Sequence, residues 1–302
     1  MDVKSEKWKG TTGGGNFGQR SLIFLFRHCG VRVGYFFMYI SIPFYLVFGA
    51  KARNAICKYF RQVHNYKGVK PFFMAWRTYN NFGKVMLDRF AIFSGQKHKF
   101  AVERDGVELF AQLAGQPGGF MLAGSHTGHF EICGYLLRQD VKKIFALVFG
   151  GESEVMKRQR FAQLSPNNVE MVAVKDDMSH LFVLDQALQN GNIVTLPADR
   201  IFGSAKSVRC AFGNAKADFP IGPFAVAAIR DVPVLAVFVF KTAAYKYKVS
   251  VRKVECEAPD NRRLNAKLKA ELLAKSYVRL LEQQMMEHPT QWFNFYDFFV
   301  NE

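Results

Sequence analysis

The chain has no C-x-x-C pair, no G-x-S-x-G and no internal repeat, and each absence narrows what it can be. Its five cysteines, Cys29, Cys57, Cys133, Cys210 and Cys256, are odd in number and scattered. Reduced thiols of a cytosolic compartment are the expectation rather than a disulfide framework. Without G-x-S-x-G, a serine hydrolase of the α/β type is disfavoured. Low complexity is confined to the glycines at 13–15. Acidic residues are short: 25 Asp+Glu against 41 Lys+Arg leave a net charge of +16. That excess calls for an anionic partner, whether nucleic acid, an anionic membrane surface or an acidic protein. The first 20 residues are polar and Gly-rich, and no small-residue cleavage site follows the apolar stretch after them. No cleavable signal peptide is therefore expected.

What the chain does have is apolar and aromatic matter: 49% hydrophobic residues and 31 Phe in 302 residues. This supports a sizeable core and suits a protein that also touches lipid. The longest uncharged run is Val33 to Ala50, VGYFFMYISIPFYLVFGA, with Pro43 near its middle. As a helix it would reach roughly 27 Å, slightly short of the roughly 30 Å hydrocarbon core. Basic residues flank it on both sides, with Arg20, Arg27 and Arg32 before and Lys51, Arg53, Lys58 and Arg61 after. A simple span usually carries its basic excess on one side. The symmetry favours a kinked hairpin or an interfacial helix in one leaflet; a true span and a buried core helix stay open.

From about residue 100, short apolar runs alternate with helical patterns. Strands are expected at 120–123, 144–149, 169–174, 192–196, 232–240 and 247–254. Helices are expected near 128–138, 178–189 and 222–229, and a long amphipathic helix at about 262–288. The fold class that follows is α/β: a mixed sheet flanked by helices, with an N-terminal membrane-associated helical region. The division expected is a membrane-associated region at 1–60 and a catalytic domain at 61–302.

The most informative stretch is GGFMLAGSHTGHFEICGYLL, 118–137, which sets a His-x4-Glu pair at a strand-to-helix turn. His126 sits in the turn, and Glu131 in the first helical turn can reach back to it. Acyl transfer to a hydroxyl requires such a pair, with the imidazole as general base and the carboxylate fixing its tautomer. The plainer alternative is a surface His beside a Glu that complements the helix dipole. A metal site of His126, His129 and Glu131 is a weaker reading, because helical positions two apart do not face each other and no other Cys or His cluster completes a shell. No metal and no cofactor are expected.

Four blocks in order then resemble a known family: the basic and apolar N-terminus, SHTGHFE at 125–131, LPADRIFG at 196–203, and AFGNAKADFPIGPFAVA at 211–227 followed by VPVLAVFVF. Over nearly its whole length the chain resembles the bacterial lipid A biosynthesis acyltransferases, the lauroyl/myristoyl-transferase branch of the lysophospholipid acyltransferase superfamily. The resemblance implies transfer of a fatty acyl chain from acyl carrier protein or coenzyme A to a lipid hydroxyl at the inner membrane, with the catalytic domain facing the cytoplasm. It also implies that His126 and Glu131 are the catalytic motif. The C-terminal QWFNFYDFF, 291–299, lacks the basic ending associated with lipid A enzymes, so the acceptor stays open among lipid A, another lipid and a lipid-like polyketide.

Other residues take their roles from chemistry. Asp199 and Arg200 follow the strand-like NIVTLP and would be delivered to a cleft at a strand carboxyl end. Arg200 could grip a phosphate or carboxylate with Asp199 orienting it, or the two could form a structural ion pair. Arg158 and Arg160 could hold an anionic headgroup or the phosphopantetheine phosphate, or line a solvated helix face. Phe219 to Pro223 reads as a turn feeding a helix amino terminus. Two rivals remain. A basic nucleic-acid-binding protein explains the charge but leaves the 33–50 run unexplained. A lipid esterase would use water as the acceptor.

Overall fold

A computed structural model describes residues 31–136, 141–148, 154–175, 179–201, 206–257 and 265–300, together with Asp177 and Ser21, Ile23, Phe24, Phe26 and His28. Expectations that fall on 1–20, on Arg27, on Cys29, on 137–138, on Phe149, on Met178, on 202–203 and on 262–264 lie outside these residues.

After helical residues at Ser21, Ile23, Phe24, Phe26 and His28, the described residues form α1 (Val31–Phe48), α2 (Ala50–His64) and α3 (Lys70–Phe93). Of the forms left open for 33–50, the kinked hairpin is not formed; α1 continues through Pro43, and the chain breaks at Gly49. Among the described residues, α1 is the one helix long and apolar enough to cross a membrane by length and composition. α2 is amphipathic and buries Ile56, Tyr59, Phe60 and Val63 in the main core.

A seven-stranded mixed sheet follows, in the order β1-β9-β8-β2-β5-β3-β4. Its strands are β1 (Ala101–Asp105), β2 (Phe120–Gly124), β3 (Ile144–Val148), β4 (Val169–Ala173), β5 (Ile193–Pro197), β8 (Val234–Ala243) and β9 (Lys246–Lys253). Every pairing is parallel except β8 with β9. The central strands read as near-continuous apolar runs because helices cover both sheet faces. Phe120, Met121, Ala123, Ile193 and Val194 are all buried. Each of these side chains except that of Ala123 contributes roughly 1.5–3 kcal/mol.

Between the strands lie α4 (Val107–Ala114), α5 (Ile132–Leu136), α6 (Glu154–Leu164), α7 (Ser179–Gln189) and α8 (Gly222–Arg230), and α9 (Ala266–Glu287) closes the domain. Asn265 caps α9 by accepting the Leu268 N–H at 2.9 Å. The six strand runs expected from the apolar pattern are all present, with ends shifted by up to three residues. The pattern missed β1, α4, α6 and a separate antiparallel hairpin, β6 (Ser207–Phe212) with β7 (Ala215–Pro220). The turn expected over 219–223 is shorter than that: β7 runs to Pro220 and α8 starts at Gly222, with Ile221 alone between them.

Candidate active site

The site is set by two neighbouring strands at the centre of the sheet. β2 and β5 pair in parallel so that Gly124 lies opposite Pro197. The register continues past the strand ends, where Ala198 N–H donates to the Gly124 carbonyl at 2.9 Å. Ser125 and His126 therefore leave the carboxyl edge beside Ala198 and Asp199, the position where α/β sheets gather functional groups.

There the Asp199 carboxylate takes hold of His126 twice. Oδ1 lies 2.8 Å from imidazole Nδ1, and Oδ2 accepts the His126 backbone N–H at 2.8 Å. Oδ2 also accepts the Trp292 indole N–H at 2.8 Å. Burial alone would push the Asp199 carboxyl up, but the His126 ring, its hydrogen bonds and the nearby Arg200 charge bring it well below the usual carboxylate range. An ionised Asp199 fixes Nδ1 as the protonated nitrogen and leaves the Nε2 lone pair free for a proton. The Asp199 side chain is fully buried, whereas that of His126 is 26% exposed. Phe130 stands beside the ring at 5.3 Å between centroids and is itself exposed.

The carboxylate expected on the imidazole, Glu131, is engaged elsewhere. It is clamped by Arg89 of α3, with Nε at 3.0 Å and Nη2 donating at 3.2 Å, by Arg160 of α6, and by the Tyr135 hydroxyl at 2.5 Å. Burial would raise its carboxyl, yet the two guanidinium charges and the tyrosine hold it at about 2. Two cations compete better for a buried carboxylate than a neutral ring does. Arg160, expected on a substrate phosphate, is thus buried against Glu131, while Arg158 is exposed on α6.

Arg200 turns inward from β5 and donates to the Phe293 carbonyl. Burial lowers its pKa, with the Asp199 charge opposing. His129 is buried between the rings of Tyr135 and Tyr247, each 5.8 Å away, and burial lowers it to about 3. Among the described residues no group of three or more His, Cys, Asp and Glu is arranged to hold a metal ion.

Residues 291–293 complete the turn. Gly128 N–H donates to the Gln291 carbonyl at 2.8 Å, and Phe293 N–H to the His126 carbonyl at 3.0 Å. Trp292 pairs with Thr127 in an isolated antiparallel bridge and packs its ring on Tyr59, Phe212 and Phe298. Gly128 has φ +45°, and a Cβ there would lie 2.2 Å from the Val239 carbonyl oxygen. Glycine at this position answers to its positive φ and to the close backbone approach. Sequence reasoning missed Trp292 and Arg89. The aromatic run QWFNFYDFF was a visible signal for the first, and nothing in its local sequence marks the second.

A family model described as bacterial lipid A biosynthesis acyltransferase matches residues 70–299. No curated protein matches the chain.

Proposed function

The chain belongs to the bacterial lipid A biosynthesis acyltransferases, and on that footing we propose that it moves a fatty acyl chain from a thioester of acyl carrier protein or coenzyme A to a hydroxyl of a lipid or glycolipid at a membrane surface. The observation that carries this reading is the buried Asp199 on Nδ1 of a partly exposed His126.

In this mechanism His126 Nε2 takes the proton of the acceptor hydroxyl as its oxygen attacks the thioester carbonyl carbon. Asp199 stabilises the imidazolium that forms. When the tetrahedral intermediate collapses, the C–S bond breaks and the imidazolium returns its proton to the departing thiolate. No acyl-enzyme is needed. Glu131 serves the same centre as a clamp: with Arg89 and Arg160 it ties the turn after β2 to α3 and α6. Arg200 acts through the chain at Phe293. We assign the exposed Arg158 of α6 to an anionic donor or headgroup.

The test is purified protein with an acyl thioester and a lipid acceptor, read by mass spectrometry. A product heavier by one acyl chain in wild type, lost in His126→Ala, supports the reading. Free fatty acid without acylated lipid would make water the acceptor and the protein an esterase.

A further inference from the structure

α1 is apolar along its length, yet only one side of it is covered. Val31, Gly34, Ile42 and Leu46 are buried, at separations of three, eight and four residues that keep them on one helical stripe. That stripe runs antiparallel along α3. A Cβ on Gly34 would meet Leu87, one on Gly83 would meet Met38 and Ile42, and one on Gly49 would meet Tyr79. The opposite side exposes Phe36, Phe37, Ile40, Phe44, Val47 and Phe48.

The antiparallel packing brings a second apolar group to the carboxyl end of α1. At the start of α3, Val69, Phe72, Phe73 and Trp76 are all exposed, Val69 by 73% and Phe73 by 53%. Both ends of α1 are also fixed to the domain. Tyr35 donates to Asp88 of α3, which takes Lys241 and Tyr247 from the sheet as well. At the other end the Arg53 guanidinium donates to the Leu46 carbonyl at 2.7 Å, and α2 enters the core directly. A helix tied at both ends to one side of a domain cannot put those ends on opposite sides of a bilayer.

Charge adds an independent indication. Between Val31 and Leu87 there are nine Lys and Arg and no Asp or Glu. The first acidic residue after Glu6 is Asp88, which is buried against Lys241. Lys67, Lys70 and Arg77 are exposed beside the α3 aromatics. Apolar aromatics bordered by unopposed cations match an acyl-chain surface under anionic headgroups.

We infer that α1 and the first two turns of α3 form one seat that lies in the plane of a single anionic leaflet, with α1 parallel to the surface rather than across it. This deepens the membrane part of the function proposed above and places part of the lipid contact beyond residue 60.

The experiment uses the full chain with vesicles of phosphatidylcholine containing or lacking 30% phosphatidylglycerol. Cys is introduced at Ser21 and at Asn54, either side of α1, in a background whose native cysteines are replaced, and labelled with a membrane-impermeant maleimide on sealed vesicles bound from outside. Both positions should label from outside. Protection of one of them overturns the in-plane seat. Phe72→Ser with Phe73→Ser should lower vesicle partition about ten-fold or more and leave transfer to detergent-dispersed acceptor unchanged. Partition insensitive to these changes or to the anionic lipid overturns the seat, as does a face that binds an acidic carrier protein and no vesicle. The detergent assay reports the chemistry separately. A protein that binds as described but transfers nothing refutes the proposed function and leaves the seat standing.

Discussion

Two buried carboxylates flank the turn after β2, and they are partnered in opposite ways. Asp199 is held by neutral N–H donors and one titratable ring, which is itself open to the cleft. Glu131, five residues from His126, is held between two permanent cations and a tyrosine. Both are ionised, but the uses differ. A carboxylate already neutralised by two guanidinium groups has little charge left to stabilise an imidazolium. Asp199, whose direct N–H donors are neutral while the Arg200 charge lies nearby, keeps more of it. Nearness in sequence favoured Glu131 for the ring, and the sheet register gave the place to Asp199.

The sharpest way to break this comparison is to remove each member and watch rate and stability separately. His126→Ala should lower kcat by roughly 10²–10⁴-fold, with the melting temperature little changed. Asp199→Asn should lower kcat within the same range, because the amide cannot stabilise the imidazolium. Near wild-type transfer in Asp199→Asn would return the orienting role to Glu131.

Glu131→Gln should show the reverse emphasis. It removes the carboxylate charge that Arg89 and Arg160 share, and neutralising one partner of a buried ion pair costs about 3–5 kcal/mol. The melting temperature should fall by about 10 °C, and kcat should fall less than in Asp199→Asn. Calorimetry alongside steady-state assays decides, and an intact melt with an inactive enzyme would make Glu131 part of the chemistry.

Trp292→Phe probes the Asp199 side more finely. It keeps an aromatic ring against Tyr59, Phe212 and Phe298 but removes the N–H to Asp199 Oδ2. A hydrogen bond to a charged group is worth about 1.5–3 kcal/mol, so kcat should fall about ten-fold or more with KM nearly unchanged. A lower melting temperature at unaltered kcat would reduce Trp292 to packing.

The smallest effect concerns pH. Burial lowers His129 from 6.5 to about 3, so on acidification the unfolded chain takes up this proton first. The His129 contribution to stability is complete above about 6.5 and is lost as pH falls toward about 3. Glu131, lowered from 4.5 to about 2, adds its loss only below about 4.5. Denaturant titrations of His129→Gln should therefore be flatter between about pH 6.5 and 4.5, with the steep fall below that kept. An unchanged slope in the upper window would show that His129 protonates without cost.

The legible parts of this molecule are those where local sequence and tertiary role agree. Phe120–Gly124 and Ile193–Pro197 read as strands because both sheet faces are covered and the runs are apolar throughout. β1 did not, because AVERD is a largely exposed edge strand, three of whose five residues are charged. The β6–β7 hairpin carried its signal in plain view, with burial alternating at Val208, Cys210 and Phe212 before Gly213 and Asn214. His126 could be picked out from its turn, and Asp199 from its place after a strand. Their pairing could not, since it joins residues 73 apart through a β2–β5 register that neither segment encodes alone. Arg89 was beyond reach for the same reason, its partner lying on another element.

The segment that completes the turn also orders the events of synthesis. Trp292 and Phe293 are made more than 160 residues after His126, the residue they brace. At roughly 5–20 residues per second a nascent chain of this kind would wait about ten seconds or more between the two. In that interval α1 and α3 have long left the ribosome, and the leaflet seat inferred for them would have time to form. Asp199 and His126 then gain their last donor, the Trp292 indole, from residues that arrive after it. A product cut short before residue 291 should bind membranes and remain chemically silent.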